Sequence, residues 1–203
     1  TSRHEAACAS GSVALLAAAA DIESGRYGTA AVLGLEMMRN VPGQTAAEHL
    51  GAAAWTGHEF GDATYVWPRA FSDLTDEYDR RFGIDARHLR RISEINFKNA
   101  KLNPNAQTRG WTFDNLSFSD DDAANPVIEG RTRKSDCGQV TDGAAMVVLA
   151  SAERAADYAR TRGIALDSLP RIKGWGHRSA PISYASKIEN SAGQPYVFPQ
   201  VKR

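Results

Sequence analysis

The chain has 203 residues, 42% of them hydrophobic, and its 24 Lys and Arg residues balance 24 Asp and Glu residues. This length and apolar content fit one large domain or two small ones, and they exclude a disordered or fibrous chain. The balanced charge gives no argument for nucleic acid or an anionic membrane surface as a partner. The longest apolar run, Val13–Ala20, is shorter than the about 20 residues that span a bilayer, so we expect no membrane span.

The number of cysteines predicts the compartment, and the two chain ends indicate a longer parent protein. Cys8 and Cys137 are too few for a disulfide framework or a structural zinc site, so we expect a reduced, cytoplasmic protein without a metal site. The chain begins with Thr1 rather than Met and stops shortly after Pro195–Pro199, a segment with the composition of a strand. We interpret both ends as cut and the chain as part of a longer protein.

Residues 1–43 predict a turn, a helix, a strand and a loop. The helix should begin at Cys8 or Ala9 and end at Gly25. Because its alanines cover nearly every face, we expect it to be buried and packed against several neighbours. Thr29–Leu35 predicts a short strand that is buried on both faces, as in a parallel sheet.

Residues 44–125 are more polar and predict a helical insertion. Two helices are expected, over Arg69–Phe82 and over Ala86–Leu102. The basic run Arg87–Arg91 is interpreted as a solvent-exposed face of the second helix. The acidic run Asp120–Asp122 is interpreted as a solvated loop, because a calcium site would need alternating ligands and a later Glu.

Residues 126–163 again predict a strand and a helix, as residues 1–43 do. Gly143–Ala150 predicts a buried strand. A helix should follow over Ala152–Arg162, with Ser151 as its N-cap and a glycine at its end. Arg171–His177 predicts one further strand.

The most informative stretch is Glu5–Ser12, which places Cys8 at the entrance of a helix of small residues. Unpaired backbone N–H groups and the positive end of the helix dipole at such a position stabilise a thiolate, and so favour a nucleophile. On the residues alone, a buried and inert cysteine is the more common alternative. A chemical role needs a base or acid partner, and none of the five histidines stands at a spacing that identifies it.

Three segments of the chain together resemble a known family. The first is Cys8–Ser12, followed by the Ala-rich helix and Val32–Met38. The second is Asn96–Gln107, and the third is Asn125–Gly130 leading to Ser135–Ala145. In this order they resemble thiolases, and in particular the sterol-carrier-protein-X-type subfamily, which includes lipid-transfer proteins and acetyl-CoA acetyltransferases.

The resemblance implies an α/β fold, the layered αβαβα thiolase body of two similar halves, incomplete here and carrying a helical loop domain. Residues 1–43 would form part of the first half with the nucleophile helix. Residues 44–125 would form the loop domain, residues 126–163 the return to the first half, and residues 164–203 the start of a truncated second half.

The resemblance also implies a function. Cys8 would take the acyl group from a CoA thioester, and its backbone N–H would contribute to an oxyanion hole. The protein would thereby form or cleave 3-ketoacyl-CoA in lipid or sterol metabolism. Gly138 and Gln139 would face CoA, which is a substrate, so no cofactor is expected. The Ala-rich helix and the strand Thr29–Leu35 would lie at the interface of a homodimer or larger oligomer.

The later family motifs are not found: a segment that orders a catalytic water, a Gly-His-Pro segment and a Cys-x-Gly segment. His177 is followed by Arg178 rather than Pro, and neither His4 nor His58 is assigned a role. We therefore expect this segment alone to be inactive. Two alternatives remain open: a thiolase-like retro-aldolase of sterol side chains, and a non-catalytic CoA- or lipid-binding paralogue. A decarboxylating ketosynthase is disfavoured by the Asp142–Ala145 segment.

Overall fold

The structure is a computed structural model that describes residues 1–188. It divides into two compact units, Thr1–Asn40 with Thr141–His177, and Val41–Val140 with the described residues from Arg178 onward. Both helices and strands are present, which is compatible with the predicted α/β class. Within the described residues, no helix combines the length and the apolar character needed to cross a membrane. The predicted domain boundaries stay predictions, and the predicted strand over Pro195–Pro199 lies outside the described residues.

The helices and strands are numbered in chain order. The helices are α1 (Ser10–Glu23), α2 (Gly43–Gly51), α3 (Val66–Phe82), α4 (Ala86–Leu102), α5 (Ala152–Arg162) and α6 (Ala185–Ile188). The strands are β1 (Thr29–Glu36), β2 (Val127–Glu129), β3 (Thr132–Arg133) and β4 (Gly143–Ala150).

Capping residues explain why several helices have the bounds that the sequence predicted. The Asp85 carboxylate accepts the Arg87 N–H at the start of α4, and the Ser151 hydroxyl accepts the Arg154 N–H at the start of α5. Gly163 ends α5 in the left-handed conformation, with φ of 65°. The predicted bounds of α4 and α5 are confirmed, and α3 begins three residues earlier than predicted.

The strand predicted over Arg171–His177 is wrong. Residues 171–180 form neither helix nor strand. Two glycines, Gly174 and Gly176, interrupt this segment, and glycine weakens a strand because it gives up backbone entropy and offers no side chain to pack.

The first unit is built around β1 and β4, which pair antiparallel from Thr29 opposite Ala150 to Glu36 opposite Gly143. The prediction of fully buried strands in a parallel sheet is wrong on both counts. Because this sheet has two strands, most of its residues keep an exposed surface. The positions of both strands were predicted correctly from their composition. Burial depends on neighbouring strands and layers, which composition does not report.

One face of this sheet is covered and the other is open. α1 packs against β1, and Ala30, Val32 and Leu149 are half-buried on one face. On the opposite face, Leu33 and Met146 lie directly across from each other and are 56% and 61% exposed. α1 has no fully buried residue, which corrects the expectation that it packs on several sides.

The second unit joins α2, α3 and α4 to the short hairpin β2–β3. Its buried positions are small, polar or charged: Ala46, Gly51, Ala70, Ser72, Arg90, Ser93 and Asn125. Phe97 of α4 lies within 6.0 Å of the ring centres of three other aromatic residues, Trp111, Phe113 and Phe118. This aromatic cluster fixes the loop after α4 against the helix.

Gly130 is the turn residue of the hairpin, and its position has no room for a side chain. Its φ is 52°, and an added Cβ would lie 2.1 Å from the Ser72 hydroxyl oxygen. That hydroxyl, on α3, accepts the Arg131 N–H at 2.9 Å. The close approach therefore docks the hairpin on α3.

Candidate active site

Cys8 lies in a single 3-10 turn, Ala7–Ala9, immediately before α1. This agrees with the predicted position at the entrance of the helix, although α1 itself begins at Ser10. The Cys8 side chain is exposed and its thiol is free. Within residues 1–188 the Cys8 N–H has no hydrogen-bond acceptor, so it is available to a ligand oxygen.

The residue before Cys8 adopts an unusual conformation. Ala7 has φ of 48°, in the left-handed region that L residues rarely occupy. Two side chains hold this conformation: the Glu5 carboxylate accepts the Ala7 N–H at 2.6 Å, and the Ser10 hydroxyl donates to the Ala7 carbonyl at 2.7 Å. The same Ser10 hydroxyl accepts the Ala6 N–H at 2.8 Å, and the Glu5 carboxylate, 3.1 Å away, is a second and more distant acceptor for its one proton. These bonds close the turn on itself.

The Ser10 bond has a direct consequence for Cys8. The Ala7 carbonyl and the Cys8 N–H belong to one planar trans peptide, in which C=O and N–H point in opposite directions. The Ala7 carbonyl accepts both the backbone N–H and the hydroxyl of Ser10, and these two bonds together fix the direction of the Cys8 N–H. A donor whose direction is fixed in advance is what an oxyanion hole requires.

Two of the described histidines, His4 and His58, have side-chain contacts with residues other than Cys8. The His4 ring lies 3.0 Å from the Ser2 hydroxyl, and His58 stacks on Trp55 with ring centres 4.4 Å apart. Within the described part of the chain, the Cys8 thiol has no hydrogen-bonded base. No group of three or more His, Cys, Asp or Glu side chains among residues 1–188 is placed to hold a metal ion.

Asp142 joins the ends of the two strands in the unit that carries Cys8. One carboxylate oxygen accepts the N–H groups of Met38 and Arg39, at 2.7 and 2.8 Å. These two residues follow β1, and Asp142 immediately precedes β4. A carboxylate that accepts two backbone N–H groups fixes the loop beyond the sheet.

The second unit contains two adjoining cavities. The larger, about 610 Å³, is mainly apolar, and its walls include Leu50, Trp67 and Phe71. The smaller, about 370 Å³, combines aromatic and hydrogen-bonding side chains. Its walls include the side chains of Asn96, Phe97, Thr108, Trp111, Ser135 and Gln139. Both volumes are of the size that takes part of a small-molecule ligand.

The predicted CoA-facing residues lie on these cavities. Gly138 lines both of them, and Gln139 lines the smaller one. Cys137 lines both as well, so Cys137, Gly138 and Gln139 form one continuous stretch of wall. Cys8 belongs to the other unit.

Cys137 differs from Cys8 in its surroundings. It is half-buried, and its thiol lies 3.5 Å from the Arg133 carbonyl. Burial raises the pKa of the Cys137 thiol, and the neighbouring negative charge of Asp136 raises it further. Cys137 is therefore held in its neutral, less nucleophilic form, which supports its prediction as a non-nucleophile.

Buried polar residues hold this stretch of wall, and the sequence analysis missed the most important of them. Arg90, predicted to belong to an exposed basic face, is 9% exposed and forms an ion pair with Asp136. Asn125 is 1% exposed, and its side chain accepts the Ser135 N–H at 2.9 Å. The one available signal was position: Arg90 occupies the same helix face as Ser93 and Phe97, toward the aromatic cluster.

The acidic run is exposed, as predicted, but it is also paired. Asp120 lies 3.3 Å from Arg90 and 3.4 Å from Arg133, and Asp122 lies 2.7 Å from Arg133. It therefore neutralises two largely buried arginines.

Comparisons with known proteins agree with the resemblance at a coarse level. No protein-family model matches the chain. It is 28% identical over 162 residues to an acetyl-CoA acetyltransferase of Methanothermobacter thermautotrophicus, a match covering 79% of this chain and 40% of that protein. It is 32% identical over 158 residues to an acetyl-CoA acetyltransferase of Methanocaldococcus jannaschii, covering 78% of this chain and 38% of that protein. The chain thus spans about two fifths of the length of the curated relatives it matches. These similarities support a relationship to the thiolase superfamily.

Proposed function

We propose that the protein is a thiolase-type acyltransferase that forms or cleaves 3-ketoacyl-CoA through an acyl group on Cys8. The observation that carries the proposal is the turn around Cys8. It presents an exposed thiol beside a backbone N–H that is oriented and free within the described residues. The relatives named acetyl-CoA acetyltransferase support the same reaction class.

The proposed first step is transfer of the acyl group to Cys8. The Cys8 sulfur, as the thiolate, attacks the carbonyl carbon of an acyl-CoA, and the Cys8 N–H stabilises the oxyanion of the tetrahedral intermediate. The bond between the acyl carbon and the CoA sulfur then breaks, and CoA leaves as a thiolate that takes up a proton. The acyl group is left on Cys8 for transfer to a second CoA substrate or to free CoA.

The second unit is proposed to bind the CoA part of the substrate along Cys137, Gly138 and Gln139. The smaller cavity offers aromatic surfaces and hydrogen-bonding groups, and the larger offers an apolar surface. Lys134, on the wall of the larger cavity, makes no ion pair within residues 1–188 and supplies a positive charge for an anionic ligand. CoA is a substrate here, so the proposal requires no cofactor.

The compartment, the area of metabolism and the oligomeric state are also proposed. We propose a cytoplasmic enzyme of lipid or sterol acyl-CoA metabolism that acts as a homodimer or larger oligomer. The open apolar face of the β1–β4 sheet supports association with another polypeptide surface.

One observation favours a second candidate, a non-catalytic CoA- or lipid-binding protein. No base contacts the Cys8 thiol within the described residues, whereas the second unit has two adjoining cavities of the size that takes part of a ligand. In that case the protein would bind CoA without taking up its acyl group.

Acyl transfer to Cys8 separates the two candidates. The protein is incubated with acetyl-CoA, digested and mapped by mass spectrometry, with Cys8→Ala and Cys137→Ala as paired variants. We expect one acetyl group on the Cys8 peptide of the wild type and of Cys137→Ala, and none on Cys8→Ala. Binding of CoA without any acetylated Cys8 would select the second candidate.

A further inference from the structure

We infer that Arg90 and Asp136 are positioning residues for ligand binding, because their ion pair fixes the stretch Cys137–Gln139 that lines both cavities. The inference rests on the proposed function only in naming CoA as the ligand. Asp136 lies in the Ser135–Ala145 segment, where Gly138 and Gln139 but not Asp136 were assigned a role, and Arg90 was expected to face solvent.

The Asp136 carboxylate is held from three directions. The Arg90 guanidinium donates through Nη1 to both carboxylate oxygens at 2.7 Å. The Ser93 hydroxyl donates to Oδ1 at 3.3 Å, and the Arg133 N–H donates to Oδ2 at 2.9 Å. Charge-assisted bonds of this kind restrict geometry more strongly than neutral ones.

Burial strengthens the pair. The side chains of Arg90 and Asp136 are 11% and 22% exposed, so water screens them weakly. The Nε of Arg90 lies 3.3 Å from Asp120, which fixes the far side of the guanidinium. Arg90 therefore anchors one end of the stretch to α4.

The position of Asp136 in the chain explains how the ion pair with Arg90 affects the cavity wall. Asp136 ends the 3-10 turn Lys134–Asp136 and is followed directly by Cys137, Gly138 and Gln139. Leu89, the neighbour of Arg90, lines both cavities, as do Asp136, Cys137 and Gly138. The pair thus joins the two elements that form the shared wall. Loss of the Arg90 charge should release the wall without altering a side chain that lines either cavity, whereas Asp136→Asn also changes a lining carboxylate.

Two variants test the pair: Arg90→Met keeps the unbranched apolar stem of the side chain and removes its charge, and Asp136→Asn keeps the shape of the carboxylate. Arg91→Met is the matched control, since Arg91 is the next residue of α4, 59% exposed and paired only with Glu94 among the described residues. All are made in a Cys8→Ala background, so that Cys137 is the one thiol. Arg90→Lys keeps the charge and tests for rescue.

Two readouts are taken below the melting temperature of each variant: the rate of Cys137 alkylation by iodoacetamide, and the Kd for CoA from quenching of tryptophan fluorescence. We expect Arg90→Met and Asp136→Asn each to raise the alkylation rate and the Kd by about tenfold, typical of a coupled buried pair. The double variant should be no worse than either single one. Arg91→Met should match the wild type, and Arg90→Lys should recover part of both effects, which a general loss of stability would not produce.

The outcomes distinguish the inference from the proposed function. Unchanged alkylation and unchanged Kd in folded variants would overturn the inference, as would additive effects in the double variant. If the parent chain binds no CoA, the proposed CoA site fails, and the alkylation rates alone decide whether the pair positions the wall. If Arg90→Met does not fold, Asp136→Asn decides, because a wild-type alkylation rate in that variant would contradict a wall that depends on the charge of the pair.

Discussion

At the scale of single residues, the turn before α1 shows how a short sequence can prepare a nucleophile. An alanine with φ of 48° costs about 1–2 kcal/mol relative to ordinary backbone, and is retained because side chains on both sides hold it. Glu5 and Ser10 satisfy both polar groups of that residue. The backbone strain at Ala7 lies next to the exposed thiol of Cys8 and brings no evident gain in packing. The strain therefore supports a functional role for the turn.

Removing the Ser10 hydroxyl should reduce the reactivity of Cys8 toward thioesters. In Ser10→Ala the Ala7 carbonyl keeps the Ser10 N–H as a donor but loses the hydroxyl, so the Cys8 N–H is held less firmly. We expect the rate of acyl-Cys8 formation to fall by no more than about tenfold, less than for complete loss of an oxyanion donor. The melting temperature should hardly change, because the bonds are exposed. Ser24→Ala is the control, since its hydroxyl also donates to a backbone carbonyl of α1, that of Asp21. Equal acylation rates in Ser10→Ala and the wild type would contradict this role.

The two cysteines should differ in reactivity and in its dependence on pH. Cys8 is exposed, whereas burial and Asp136 raise the pKa of Cys137. At pH 7–8 we expect iodoacetamide to modify Cys8 first. Because a raised pKa delays formation of the thiolate, the Cys137 rate should still be rising at pH values where an ordinary thiol, with a pKa of about 8.5, is largely ionised. Peptide mapping over a pH series measures both rates. Preferential modification of Cys137 at neutral pH would contradict the assignment of Cys8 as the reactive thiol.

At the scale of helices and strands, local signals predicted what is decided locally. Asp85 and Ser151 marked the starts of α4 and α5 because a cap acts within three residues of its own position. α2 was missed, since it begins at Gly43 and ends at Gly51 and so lacks a strong cap. The burial of Arg90 could not be predicted from the local sequence, because its partner Asp136 lies 46 residues away in the chain.

Gly130 is the position where a single methyl group should cost most. In Gly130→Ala the Cβ would meet the Ser72 hydroxyl at 2.1 Å, in a conformation that alanine already disfavours. We expect the free energy of unfolding to fall by about 3 kcal/mol, the sum of left-handed backbone strain and overpacking. Urea unfolding followed by tryptophan fluorescence measures it. Gly61→Ala is the control, since its Cβ would meet no atom within 4 Å, and a similar loss there would argue against the steric explanation.

At the scale of the whole molecule, both units leave apolar side chains exposed to water, but in different arrangements. The second unit has cavities, an aromatic cluster and buried ion pairs. The first unit instead leaves one face of its sheet open, and composition predicted its strands without revealing that open face. An apolar face of this kind normally meets another polypeptide surface.

The open face of β1 and β4 should therefore govern association. Leu33 and Met146 lie opposite each other on it, and Leu35, one alternation further along β1, is 72% exposed. Placing charges there, in a Leu33→Lys/Met146→Glu variant, should leave the two-stranded pairing intact, because opposite charges across a strand pair attract. Desolvating those charges in an interface is costly, so association should weaken by at least about tenfold. Sedimentation velocity at micromolar concentration measures the assembly, with Leu102→Lys as the control on α4, where the side chain is 83% exposed. We expect the wild type and the control to sediment as the same oligomer and the double variant to dissociate to monomers; a wild-type protein that is already monomeric at these concentrations would refute an interface on this face.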